Sequence, residues 1–289
     1  MKEKLKILIC YENRVRVDTT GNYYLNALKS LGHKVDHVLP ENIHSVAGGY
    51  DCYFKIDDGI YSPWNKNLKP ATYIAIDCHI ETDWRLKIAQ EGEFERVGVV
   101  HSVGLDLPWG REVVFSPVGC DPDVHCVGLK EKTYDGCFIG NFHNNLAGPR
   151  VEMLDIFFKA APNFFFGKRM FREMTEKYAQ SKLCFNRSIN GDLNMRAYEI
   201  MCSGSCLITD RVPDLDKLGF IDKGHYFGYS SAQELDDLTR MLLCEHSLRE
   251  RVAQAGRQFV IEKHTYAHRM KDLLSKIQLH KQEKIPCPL

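Results

Sequence analysis

The chain has 289 residues, 44% hydrophobic and 26% charged, enough for about two domains with cores of their own. Lys plus Arg and Asp plus Glu both total 38, so no net basic field draws it to nucleic acid or to an anionic membrane. Its eleven cysteines are scattered without a CxxC pair, an odd count that fits reduced, buried thiols better than a disulfide framework.

The first apolar run is only about five residues long, too short for a signal sequence, and no later stretch reaches the length of a membrane span. A cytoplasmic location with no transmembrane segment is expected. Lys6–Cys10 reads as a buried strand, Gly21–Leu31 as a helix stopped at Gly32, and Lys34–Val38 as a second strand, which together make a βαβ start. The polar loop 11–21 lacks GxGxxG, so no dinucleotide fingerprint is present. At the carboxyl edge of a doubly wound sheet its Arg14, Arg16 and Thr19 to Asn22 are candidates for substrate contact; an ordinary surface loop fits the same letters.

Asp51–Ile56, Thr72–Ile76, Val97–Val100 and Glu112–Phe115 continue the alternation as strands of one sheet. Two strand ends carry titratable groups, Asp77-Cys78-His79 and His101-Ser102. A His or Asp placed there can take the proton of an acceptor hydroxyl, or simply cap the next helix. Asp77 and His79 are expected to point to opposite sides, so that only one of them acts.

Asp121-Pro-Asp123 and Asp214-Leu-Asp216 match the letters of a metal-binding DxD, but one stands in a proline turn and the other in a helix-like loop. Cys120, His125 and Cys126, and likewise Cys202 and Cys206, fit no standard zinc spacing, so no metal is expected. Tyr134–Asn141 reads as a strand ending in glycine, followed by a polar loop and a helix from Pro149 to Ala160. Asn163–Gly167 leads into the basic pair Lys168-Arg169, which either balances phosphate charge or forms a solvated turn. Phe171–Gln180 is an amphipathic helix and Leu183–Asn186 the next strand.

Asn190–Asp210 then reads as loop, helix and buried strand. Asp192 or Asn194 can cap the helix, and Gly204 can end it in a left-handed conformation. Leu193, Ala197, Ile200 and Met201 share one face, while Asp192, Arg196, Glu199 and Ser203 line its flank. Arg196 and Glu199 are three apart: either they face a ligand near a phosphate-receiving helix N-terminus, or they are an ordinary surface ion pair. His225–Tyr229 is a last short strand, and Ser231-x-x-Glu234 and Ser247-x-x-Glu250 read as capping boxes. A third helix begins at Thr265.

NxRxYExMxxGxxxxTD over residues 194–210, with KLCFN upstream at 182–186 and His264-Thr265-Tyr266-x-x-Arg269 downstream, resembles the C-terminal half of GT-B glycosyltransferases, most of all the spore-maturation CgeB-like group. The resemblance is good over 134–274 and in outline only before that. It implies an α/β fold of two Rossmann-like domains facing a central cleft. Residues 1–120 would form the acceptor-side domain and 121–265 the nucleotide-sugar-binding domain, with 266–289 a helix crossing back to the first domain and a loose tail; His264, Tyr266 and Arg269 match there as structural residues. The implied activity is glycosyl transfer from a nucleotide-diphosphate sugar to an acceptor hydroxyl, without a cofactor and without a required metal. The acceptor, whether glycan, small molecule, protein or modified base, is not named by the sequence.

By the same resemblance Glu199 holds the donor ribose, Arg196 with Lys168 and Arg169 the diphosphate, and Asp192 and Asn190 the donor sugar, with Asn186 close by. Asn141, His143, Asn144 and Arg150 can supply hydrogen-bond donors in the loop that approaches the diphosphate, and His79 or Asp77 falls on the acceptor side. Retention is the expected course. Many retaining relatives carry a second glutamate eight residues before the first, where this chain has Gly191 with Asp192 beside it, so inversion stays open. The alternatives are an epimerase or hydrolase of the same shape, and a non-enzymatic two-domain sugar-binding protein, which the missing export signal and the free thiols disfavour.

Overall fold

The computed structural model describes residues 4–15, 17–128, 130–140 and 148–283. The chain divides into two compact units, one formed by the residues before Gly119 together with those from Tyr266 onward, the other by Gly119–Thr265.

In the first unit β1 (Lys6–Cys10), α1 (Thr20–Ser30), β2 (Lys34–Val38), β3 (Cys52–Ile56), β4 (Ala71–Ala75), α2 (Thr82–Glu91), β5 (Arg96–Val99) and β6 (Glu112–Phe115) follow in order. The six strands form one sheet in the order β2-β1-β3-β4-β5-β6, every neighbouring pair parallel. A parallel sheet is covered on both faces, which is why β3, β4 and β5 are buried at every residue, Lys55 and Arg96 included. Lys55 Nζ accordingly donates to Ser62 Oγ at 2.5 Å, and Arg96 Nη2 pairs with Glu112 at 2.7 Å. One core cluster runs from Leu8 and Tyr53 through Trp64 and Phe94 to Trp109.

The second unit contains α3 (Pro122–His125), β7 (Tyr134–Ile139), α4 (Gly148–Ala160), β8 (Phe164–Gly167), α5 (Phe171–Ala179), β9 (Ser181–Phe185), α6 (Met195–Cys202), β10 (Cys206–Asp210), α7 (Pro213–Lys217), β11 (Phe227–Tyr229), α8 (Ala232–Cys244) and α9 (His246–Lys263). Its sheet has the order β11-β10-β9-β7-β8, again wholly parallel. The core packs Phe138, Phe157, Phe185, Ile208 and Tyr229 against Leu235, Leu242 and Val252. The last helix, α10 (Tyr266–Glu283), belongs to the first unit. There Tyr266 stacks on Tyr23 at 5.4 Å and meets Tyr24 edge-on at 4.9 Å, and Arg269 Nε donates to the Pro117 carbonyl at 2.9 Å.

Several helix ends differ in detail from the sequence expectation. Ser231 does cap α8, accepting from the Glu234 amide at 3.1 Å, but α9 begins at His246 behind Glu245, so Ser247 lies inside the helix and caps nothing. At α6 the N-cap position is Asn194, without a side-chain cap bond; Asp192 turns back into the preceding loop instead. Gly204 does follow α6 in the left-handed conformation, φ +80.

Gly256, in the middle of α9, has a close-approach role. A Cβ there would stand 2.3 Å from the His225 carbonyl oxygen. Gly256→Ala gains helix propensity worth about 1 kcal/mol, yet it is expected to lower stability by about 1–3 kcal/mol net, because backbone must move; urea denaturation reads the difference.

Candidate functional site

In an open parallel sheet the ligand crevice lies at the carboxyl ends of the strands, where the strand order reverses. In the second unit that point falls between β7 and β9: β8 lies outward of β7 on one side, while β9, β10 and β11 run outward on the other. Arg196, in the first turn of α6, spans it. Its Nε donates to the carbonyl of Ile139 at the end of β7, at 2.8 Å, and its Nη1 to Oδ1 of Asn186 just past β9, at 2.9 Å. The guanidinium also lies over the Phe138 ring, 4.7 Å from its centroid. Gly140 makes room for it, since a Cβ there would be 2.3 Å from Arg196 Nη2. Asn186 is itself fixed, donating to Thr209 Oγ1 at 3.0 Å while its carbonyl accepts from the Tyr229 hydroxyl at 3.2 Å. The surface pairing of Arg196 with Glu199 is thus replaced by a bridge between strand ends.

A second guanidinium lies close by. Arg150, 6% exposed, donates from Nη2 to the Arg187 carbonyl at 3.0 Å. Burial, and after it the neighbouring Arg196, bring its pKa down to about 10, while Asp192 and Asp210 act in the opposite sense. Those two acids hold the loop between β9 and α6. Asp192 Oδ1 accepts from the amides of Ile189 (2.7 Å) and Asn190 (3.4 Å), and Asp210 accepts from the amide and the hydroxyl of Ser188. A buried arginine and a half-buried one within electrostatic reach of each other are stabilised by an anion placed between them.

Glu199 lies further along α6, 4% exposed. It faces His125 of α3, with Nε2 3.8 Å from Oε1. His125 Nδ1 accepts the Asp121 amide at 3.0 Å, which leaves the ring proton on Nε2, toward the carboxylate. Desolvation lowers the His125 pKa to about 4, so at neutral pH this is a neutral imidazole facing a carboxylate and not an ion pair. The sign follows directly. An unfolded histidine titrates near 6.5, so as pH falls from there to about 4 the unfolded state takes up a proton that the folded state refuses. Stability is expected to drop by about 2 kcal/mol between pH 7 and pH 5 from this residue, and His125→Gln to flatten that part of the profile in urea titrations.

Residues 141–275 match a protein-family model described as glycosyl transferase-like. Solved structures resemble nearly the whole chain. Sucrose-phosphate synthase from Thermosynechococcus elongatus has a TM-score of 0.65 at 11% identity, covering 96% of this chain and 100% of that one. Anabaena HepE in complex with UDP and glucose gives 0.67 at 11%, covering 95% and 99%. A glycosyltransferase involved in avilamycin A biosynthesis gives 0.60 at 12%, covering 95% and 97%. The chain has the GT-B fold. No curated protein matches it.

Within this GT-B chain the other predicted positions are distributed unevenly. Lys168 and Arg169 are exposed at the end of β8, where Arg169 Nη1 bonds the Lys168 carbonyl at 2.7 Å and its guanidinium lies over Phe165 at 5.3 Å. Asn190 is exposed on the pinned loop. Asn141, His143, Asn144 and Arg16 lie outside the described residues. Arg14 is occupied by two carboxylates, Glu12 at 2.8 Å and Glu41 at 2.7 Å, so its charge is already matched.

The expectation that Asp77 and His79 diverge is wrong: residues two apart share a side even in an extended strand, and here they converge in a turn. Residues 77–80 form a turn, with the Ile80 amide bonded to the Asp77 carbonyl at 2.9 Å. Arg85, paired with buried Asp57, holds it from below by bonding the Ile80 carbonyl. The turn brings Asp77 and His79 to one side, beside His101 at the end of β5; the two rings meet edge-on at 4.4 Å. The sequence reading left two participants unpaired with their sites. His125, in a proline-started turn, carries no local sign that it faces Glu199, and Tyr178 of α5, a wholly buried phenol whose pKa is raised by burial and then by Glu199, reads as plain helix core.

Proposed function

We propose that this chain transfers a sugar from a nucleotide-diphosphate sugar, UDP-linked by class, to an acceptor hydroxyl. The observation that carries this reading is the bridge of Arg196 across the β7/β9 reversal with buried Arg150 beside it, a pair of cations in the crevice where a parallel sheet receives its ligand. The glycosyl transferase-like match over 141–275 and the UDP bound in HepE support it. In this reading the two arginines take the diphosphate, with Lys168 and Arg169 adding long-range charge and no divalent ion or resident cofactor required. Glu199, a buried carboxylate, accepts from the ribose hydroxyls. Asn186 positions Arg196, Asn141 is assigned with the diphosphate, and Asp192 and Asn190 border the donor sugar. His79 and Asp77 belong to the acceptor side. Transfer with retention, and closeness to the CgeB-like group, belong to the same reading.

The chemistry asks for charge balance at a leaving diphosphate and for orientation of a hydroxyl, which fixed cations and a rigid loop supply without a covalent apparatus. The test is donor turnover with UDP-glucose, UDP-galactose and UDP-N-acetylglucosamine in EDTA, with and without a mixture of sugar and polyol acceptors. Acceptor-dependent release of UDP is expected. Release that ignores every acceptor would mark a hydrolase, and no turnover or binding of any nucleotide sugar would overturn the proposal.

A further inference from the structure

Among the described residues, one group of three metal-ligating side chains stands close enough to hold an ion: Asp77, His79 and His101, one ligand atom of each lying within 4.8 Å of the others. We propose that this cluster, in the first unit, binds a divalent transition metal of the zinc class. The inference does not rest on the donor assignment, which concerns other residues in the other unit.

The chemistry of the set points to that class. Two imidazoles and a carboxylate suit zinc, cobalt, nickel or ferrous iron, whereas magnesium and calcium take oxygen ligands. Both ring nitrogens of His79 are shielded from solvent and have no hydrogen-bond partner, a costly state that a metal bond would relieve. His101 is 4% exposed and fixed as the residue before a 3₁₀ turn, so one ligand is held rigidly by the end of β5. Asp77 is exposed and supplies the carboxylate of the group.

Tetrahedral zinc at about 2.0–2.1 Å from its ligands needs them about 3.4 Å apart, so the three must close by an ångström or so, a change within reach of side-chain rotation. Three protein ligands leave a fourth position for water. The ends of β4 and β5 belong to the carboxyl edge of their sheet, so the ion would order the residues of the acceptor side and is not needed for transfer, which is expected to run in EDTA.

The test uses the full chain, stripped with a chelator and titrated with zinc chloride by calorimetry and with cobalt chloride by its visible ligand-field absorption. One ion per chain is expected, with cobalt bands characteristic of mixed nitrogen and oxygen ligands. His79→Ala and Asp77→Asn should each weaken binding at least about tenfold. Asp77 is exposed, so its variant is expected to fold even if the His79 variant does not. UDP binding in the stripped protein, measured alongside, separates failure of this site from failure of the donor site. No stoichiometric binding by the wild type, or binding unchanged in Asp77→Asn and in a folded His79→Ala, would overturn the proposal.

Discussion

Arg196→Ala is expected to weaken binding of UDP roughly ten- to a hundredfold, the loss of charge-assisted hydrogen bonds worth about 1.5–3 kcal/mol. The same change strands the Ile139 carbonyl and Asn186 Oδ1, which Arg196 now satisfies, so stability should also fall, by about 1–3 kcal/mol. Two further variants test the fork and the room it occupies. Arg196→Lys keeps the charge but not the planar fork that reaches both strand ends, and should recover only part of the affinity. Gly140→Ala leaves the arginine in the chain but sets a Cβ 2.3 Å from its Nη2, at a backbone φ of +157 that alanine rarely adopts. This variant should lose UDP affinity, about tenfold, together with stability. Calorimetric titration with UDP, beside urea denaturation, reads both quantities.

Glu199→Gln is expected to raise the donor KM at least about tenfold, and Glu199→Ala more, with a smaller effect on kcat, since contacts to the ribose are present in ground and transition states alike. Unchanged kinetics in both variants would remove Glu199 from the donor site.

The strand and helix alternation was legible because parallel strands buried on both faces read as short apolar runs and amphipathic helices as periodic ones; β1, β2 and β6 fall on the residues expected. What the sequence did not carry is pairing at a distance. Arg196 stood out as a motif letter, but its partner Ile139 is 57 residues away, and only the strand order shows that the two meet at a reversal. His125 and Glu199 are likewise joined by tertiary packing alone. The polar cluster of the first unit was misjudged for a local reason. Period-2 geometry already puts residues two apart on one side, so divergence did not follow from it; what no short-range pattern announces is that Asp77–Ile80 leaves the strand for a turn fixed by a buried Asp57–Arg85 pair. Ser247-x-x-Glu250 had the letters of a capping box, but α8 and α9 are so closely joined that Glu245 already starts the second helix.

The most direct test of the central claim is calorimetric titration of the chain with UDP in EDTA, repeated with Arg196→Ala. The account predicts saturable, magnesium-independent binding by the wild type and a loss of roughly ten- to a hundredfold in the variant. Absence of binding for UDP and for the other nucleoside diphosphates, or equal binding by both proteins, would contradict it.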